Sequence, residues 1–380
     1  LVEDTVSDPD WPHMSLAEVE AQLTAPGARF EMDEAVIRGT PTRVWKNAPP
    51  SLPMLVRFSR LHGERLFTIY EADRISFEDS FRATAALAAE LRRLGVGKGE
   101  RVALAMANLP EWPVAFFAAT ALGAIVVPLN AWWSGDELEY GLADSGAKLL
   151  IADAARWTRI APHRPNLPEL EHVLVSRAES ALAGAGRLED AIGPAPAWKD
   201  LPPDDLPAAD IAADDDATIF YTSGTTGKPK GALGTHRNLL TNIFSVGYSA
   251  ARTALRRGDP PPEPAPKVGL LVIPLFHVTA CSASLMGTMA AGHTAVFMRK
   301  WDPLKAMEII ERERVNITGG VPTIAWQILD HPERHRFDLS SLESISYGGA
   351  PSAPDLVRRI RQEFGAMPGN GWGMTETMAT

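Results

Sequence analysis

The sequence predicts an α/β fold of two packed lobes, each built on a mostly parallel sheet. Short apolar runs alternate with amphipathic helical segments along most of the chain, the pattern of repeated strand–helix–strand units. The alternation falls into two blocks, separated by a stretch rich in Ala, Pro and Asp at 181–216 that reads as a linker. The length of 380 residues suits two or three domains and a sizeable core.

Residues 1–75 read as an irregular N-terminal region, rich in proline and charge, packing on the second lobe and carrying one amphipathic helix at Ser15–Leu23. The first lobe, 76–236, opens with Phe77–Leu94, whose apolar residues recur at helical spacing and stop at Gly95. Arg101–Met106 (RVALAM) reads as a strand, Asn108–Leu122 as a helix, 124–128 as a buried strand, Ser134–Ser145 as a helix and Ala147–Ala152 as a strand. The run Ala217–Tyr221 (ATIFY) is strand-like. In the second lobe, 237–380, helices are expected at Arg237–Ser249, His277–Ala290, Pro303–Arg312, Ile324–Asp330 and Pro354–Phe364. Strands are expected at Val268–Ile273, Thr294–Met298, Ile317–Gly320 and Ile345–Tyr347, with a proline-rich surface loop at Arg256–Lys267.

Composition narrows the function classes. Hydrophobic residues at 45% and charged residues at 22% describe an ordinary globular protein. A net charge of −10 argues against nucleic acid as a partner. A single cysteine, Cys281, excludes an internal disulfide and a cysteine-rich zinc site, which fits a cytoplasmic location. The longest apolar stretch, Val114–Leu129, falls short of the roughly 20 residues that span a membrane. Gly123 and Pro128 also punctuate it, so it reads as a buried helix followed by a buried strand. The opening residues lack the charged-then-apolar pattern of a secretion signal, and Met14 offers a start site within them.

The most informative segment is Tyr221–Gly231, YTSGTTGKPKG. Its glycines let backbone approach an anion, consecutive N–H groups can form an anion-binding concavity, and its hydroxyls and lysines supply donors and positive charge. Gly224 and Gly227 are three apart and Pro229 follows Lys228, so the spacing is not that of a Walker A loop. The chain is expected to leave Lys228 extended rather than helical. A solvated turn between domains has the same composition, but the position directly after a strand argues for a binding site.

This segment resembles the phosphate-binding signature of the adenylate-forming (AMP-binding) enzymes, which include acyl-CoA synthetases, firefly luciferases and peptide-synthetase adenylation domains. The resemblance extends from about Phe77 to the end and includes Pro110–Asn130, which looks like a mainly structural core motif. It implies that Thr222, Ser223, Gly224, Thr225, Thr226, Gly227, Lys228 and Lys230 border the ATP phosphates, with Thr222 also near magnesium. Three further segments follow in the family's order. Pro274–His277 (PLFH) would place His277 at the carboxylate. Tyr347–Pro351 (YGGAP) would place Gly348, Gly349, Ala350 and Pro351 beside adenine and acyl group. Asn370–Glu376 (NGWGMTE) would set Asn370, Gly371, Trp372, Gly373 and Met374 at the nucleotide, with Thr375 on the α-phosphate and Glu376 on magnesium. Trp372 stands where the family usually has tyrosine, and both rings stack.

The implied activity is ATP-dependent conversion of a carboxylic acid to acyl-AMP, then to a thioester with coenzyme A. Its catalytic residues would be His277, Lys230, Thr375 and Glu376. Peptide-synthetase domains carry an aspartate near the position of His277 to pair with an amino group; Leu275–Leu285 has no carboxylate, so an amino acid's ammonium would be buried unpaired. The small apolar residues Ala280, Cys281, Gly319, Gly320 and Val321 suit a medium- or long-chain fatty acid. An aryl acid, an acyl-AMP ligase passing its product to another acceptor, and a fragment that binds without turnover stay open, as do a homodimer and peripheral membrane contact. Family members continue beyond the equivalent of Thr380 into a small C-terminal domain that supplies a lysine and a ribose-binding aspartate, so the chain is expected to be the large domain alone. His331 and His335 have metal-like spacing, but Pro332 and the charged surroundings read as a solvated turn.

Overall fold

The computed structural model describes residues 11–179, 182–222, 227–261 and 265–379. Helix α1 (Leu16–Leu23) begins at a capping box in which the Ser15 hydroxyl accepts from the Glu18 N–H and the Glu18 carboxylate accepts in return. An antiparallel hairpin, β1 (Met32–Ile37) and β2 (Thr40–Trp45), helix α2 (Leu52–Ser59) and the antiparallel pair β3 (Leu66–Tyr70) and β4 (Asp73–Ser76) follow. The N-terminal region is therefore not irregular. Its charged hairpin is largely exposed, so it lacks the strong apolar alternation that marks a strand.

The first sheet grows from α3 (Phe77–Arg93), β5 (Arg101–Ala105), α4 (Glu111–Thr120), β6 (Ile125–Pro128), α5 (Gly135–Ser145), β7 (Leu149–Asp153), α6 (Ala154–Ile160), β8 (His172–Ser176), β9 (Gly186–Arg187), α7 (Glu189–Ile192), β10 (Asp216–Thr222) and β11 (Lys230–Thr235). Its seven strands run β11-β10-β6-β5-β7-β8-β9, parallel except for β10 against β11. The expected linker thus contains β9 and α7, short elements that carry little periodicity.

The second sheet follows α8 (His236–Arg257) and comprises β12 (Val268–Leu271), a π-helical segment Thr279–Leu285 leading into α9 (Met286–Ala291), β13 (Thr294–Phe297), α10 (Pro303–Glu313), β14 (Ile317–Gly320), α11 (Pro322–Leu329), β15 (Ser344–Gly348), α12 (Pro354–Arg359) and β16 (Met367–Gly371). The strand order is β16-β15-β14-β12-β13-β3-β4. All pairs are parallel except β3 with β4, so the N-terminal strands complete this sheet. Helix α8 runs past its expected end at Ser249, from a Thr235–Asn238 capping box to a left-handed Gly258. Strand β16, with Pro368 and two glycines, had no strand signature and forms by pairing with β15.

The core lies between the two sheets. All ten residues of α4 are buried, and Trp112 and Phe116 stack with centroids 5.3 Å apart. They share one cluster with Phe67 of β3, Phe220 of β10 and Phe297 of β13. A helix apolar on every side is stable only when covered all round. Among the described residues no helix is long and apolar enough to cross a membrane. Arg177 ties the layers together, its guanidinium meeting Asp73 at 2.7 Å and Glu111 at 2.9 Å.

Candidate functional site

Thr222 ends β10 and Lys230 begins β11, directly opposite each other in the hairpin register. The phosphate-segment residues Ser223, Gly224, Thr225 and Thr226 lie outside the described residues. Past Lys228 the chain is not helical, and strand β11 begins two residues later at Lys230. Helix α5 braces the base of the hairpin. The Tyr140 hydroxyl donates to the Pro229 carbonyl at 3.0 Å, and the Lys228 ammonium sits 5.0 Å from the Tyr140 ring centroid. The Tyr221 hydroxyl donates to Asp144 at 2.6 Å, and burial together with that carboxylate pushes its pKa far up, so it stays protonated.

Four adjacent parallel strands, β16-β15-β14-β12, deliver the other expected residues at their carboxyl ends. Trp372 to Glu376 follow β16, Gly349 to Pro351 follow β15, Val321 follows β14 and His277 lies beyond β12. In open α/β sheets this is the edge where ligands bind. Gly319 and Gly320 end β14. A side chain at Gly319 would come within 2.4 Å of the Ser346 carbonyl, so only glycine lets β14 and β15 approach there. Gly348 pairs with Gly371 across β15 and β16. Asn370, Gly371, Gly373, Ala350 and Pro351 lie along this rim. Trp372 is 79% exposed, Val321 and Met374 about half exposed, and Trp132 meets Phe276 edge-on at 5.1 Å.

The two halves meet. A 3-10 turn at Thr375–Thr377 lies against β10 and β11. Met378, 2% exposed, packs its sulfur and methyl over Gly234 of β11. Its carbonyl accepts from the Ser282 hydroxyl at 2.9 Å and the Asn242 amide at 3.4 Å. Glu376 is exposed and makes no ion pair among the described residues.

Buried Asn108, just after β5, joins the sheets beside the Pro274–His277 turn. Its amide donates to the Ile273 carbonyl at 3.0 Å and its oxygen accepts from the Leu275 N–H at 2.8 Å, which fixes the Pro274–His277 turn. The His277 N–H in turn donates to the Pro274 carbonyl at 2.9 Å. His277 is exposed at the rim, and partial desolvation of its ring lowers its pKa. Ala280 and Cys281, expected to line the acyl pocket, are instead 0% exposed within the core. The π-helical segment turns them inward, and burial pushes the Cys281 thiol pKa well up. Asn108, Tyr140, Asn242, Ser282 and Met378 were not anticipated. Only Asn108 carried a signal, as a polar residue at the end of an apolar strand.

Oxygen donors suit a hard cation, and the Glu376 carboxylate and the Thr222 hydroxyl are the donors that the sequence expectation names for one. No group of three or more acidic, His or Cys side chains among the described residues could form a cage. That donor set fits magnesium held by one carboxylate, substrate phosphates and water. A groove of about 540 Å³ beside Glu90, His172 and Arg187 lies at the β8–β9 edge and contains none of these residues.

His236, the first residue of α8, is 0% exposed, and its Nδ1 accepts from the Leu52 N–H at 3.2 Å. Burial lowers its pKa to about 4, with Asp215 opposing and Lys98 assisting. The neutral form is favoured in the fold, so its contribution is complete above the unfolded pKa of about 6.5 and is lost as pH falls towards 4, an effect of about 3 kcal/mol. Urea midpoints measured from pH 7 to 4 should fall with acid, and less steeply in His236→Asn, whose amide oxygen can still accept from Leu52. Parallel curves would remove His236 as a cause.

Known proteins resemble this chain in sequence and in fold. The feruloyl-CoA synthase of Amycolatopsis sp is 34% identical over 84% of this chain and 58% of its own length. The 4-coumarate–CoA ligase CCL1 of Humulus lupulus is 30% identical over 80% of this chain and 53% of its own. The chain thus spans a little over half of these relatives. The inhibitor-bound N-terminal domain of FACL13 from Mycobacterium tuberculosis superposes with a TM-score of 0.72 at 25% identity, covering 87% of this chain and 77% of that one. The family model for AMP-binding enzymes matches residues 55–380, nearly the whole of both sheets and the rim between them, and the chain belongs to that family.

Proposed function

We propose that the protein carrying this chain activates a carboxylic acid with ATP and passes the acyl group to coenzyme A. One observation carries this reading: the hairpin bearing the phosphate segment lies against the turn bearing Thr375 and Glu376, at the carboxyl rim of the second sheet. The reaction joins two anions, so its first need is neutralisation of charge on the polyphosphate. The segment 222–230 supplies backbone N–H groups, the hydroxyls of Thr222, Ser223, Thr225 and Thr226, and the charges of Lys228 and Lys230. Thr375 donates to the α-phosphate, Trp372 presents its face to adenine, and Gly349, Ala350 and Pro351 border the base. Glu376 and Thr222 would hold magnesium, which when bound would screen the phosphates. His277 orients the acid; at pH 7 the carboxylate needs no base to ionise it. A carboxylate oxygen attacks the α-phosphorus as pyrophosphate leaves, and the thiol of coenzyme A then displaces AMP from the acyl carbon.

An aromatic acid is favoured over a fatty acid. Ala280 and Cys281 belong to the core, which shrinks the apolar lining on which the fatty-acid expectation rested. The two sequence relatives above are named for feruloyl and 4-coumarate substrates. The test is exchange of labelled pyrophosphate into ATP with ferulate, 4-coumarate, octanoate or palmitate, followed by AMP release on adding coenzyme A. Exchange with the aromatic acids is expected. Exchange with the fatty acids alone would overturn the substrate class, and exchange with none would overturn the activity.

A further inference from the structure

We propose that Ser282 and Asn242 are positioning residues that set the nucleotide end of this site by clasping the Met378 carbonyl. The inference rests on the nucleotide reading of Thr375 and Glu376 given above. Those two residues stand on a turn of three residues, none of them buried, with Glu376 and Thr377 exposed, so the turn rests on the hairpin without a core of its own. Met378 then adopts a left-handed backbone, φ 53° and ψ 45°, and Ala379 also has positive φ. Such conformations in residues with a Cβ persist only where neighbours over-determine them.

The neighbours are specific. Ser282 is 0% and Asn242 5% exposed, so each is a polar side chain inside an apolar core, costly unless hydrogen-bonded. Both donate to the same Met378 carbonyl, and the Asn242 amide also donates to the Ser282 oxygen at 3.3 Å. The Met378 side chain lies where a Cβ at Gly234 would fall, 2.7 Å from the sulfur, so the hairpin is shaped to receive it. Ser282 sits midway along the π-helical segment that starts two residues after His277. A π-helical turn redirects its side chains, and such turns recur at functional sites. One segment therefore meets the acid side at its start and holds the nucleotide side from its middle.

The physical consequence is coupling. Without the clasp the left-handed turn can relax, and Thr375 and Glu376 leave the hairpin while His277 stays pinned through Asn108. In pyrophosphate exchange, Ser282→Ala should raise KM for Mg·ATP by about tenfold and lower kcat, with KM for the acid nearly unchanged. Ser282→Thr, which keeps the hydroxyl, should recover much of the loss. Gly234→Ala perturbs the same turn from its other side and should shift KM for Mg·ATP in the same direction. Direct titration of Mg·ATP binding to the unmodified protein separates the two readings. No binding there would overturn the nucleotide site itself. Binding there, with wild-type Mg·ATP affinity and KM in folded Ser282→Ala or, should that variant not fold, in Gly234→Ala, would overturn the clasp. Equal rises in KM for acid and nucleotide would also overturn it, since a merely structural defect moves both.

Discussion

Glu376→Gln is expected to lower acid-dependent pyrophosphate exchange by on the order of 10²–10³-fold, the scale on which removing one element of transition-state charge stabilisation acts. The substitution keeps the size of the side chain and removes its charge. Glu376 is exposed and holds no ion pair among the described residues, so no folded-state interaction is lost. Stability should stay within about 0.5 kcal/mol, the usual range for a surface change. Raising magnesium should restore part of the activity if the carboxylate is a ligand. The measurement is exchange rate against magnesium, alongside a melting curve. Activity within twofold of wild type would remove Glu376 from the site, and a large drop in melting temperature would make its role structural.

The second large effect is on stability. Asn108→Ala should cost about 2–4 kcal/mol, because it strands the Leu275 N–H and the Ile273 carbonyl, and an unsatisfied buried group costs about 1–3 kcal/mol. Asn108→Asp should be no rescue. It keeps an acceptor for Leu275, loses the donor to Ile273, and places a charge at a site 5% exposed. Urea denaturation gives the stability, and KM for the acid reports whether the Pro274–His277 turn has moved. A cost below about 0.5 kcal/mol in both variants would show that Asn108 does not join the sheets.

Much of the fold was legible because regular elements with one covered face write their period into the chain. Strand β14 was expected at Ile317–Gly320, where it is, and α3 within a residue of its end. Elements shaped by partners were not. The β1–β2 hairpin is too exposed to alternate strongly, and β16 exists because β15 offers it a ladder. The site divides in the same way. The motifs after β10, β12, β15 and β16 could be read because glycines, hydroxyls and a carboxylate at strand ends have few other uses. Asn242 and Ser282 could not be read, since a polar residue within an apolar helical run has the same signature whether it faces water or a buried carbonyl.

Composition and local pattern alone were enough to establish an α/β chain and to single out a glycine- and hydroxyl-rich turn after a strand, since both follow from backbone preferences acting over a few residues. Which edge strands complete the second sheet, that Ala280 and Cys281 turn into the core, and that the 375–377 turn rests on the hairpin were settled by packing between segments far apart in the chain. Those contacts depend on three-dimensional complementarity, and residue order leaves almost no local trace of it.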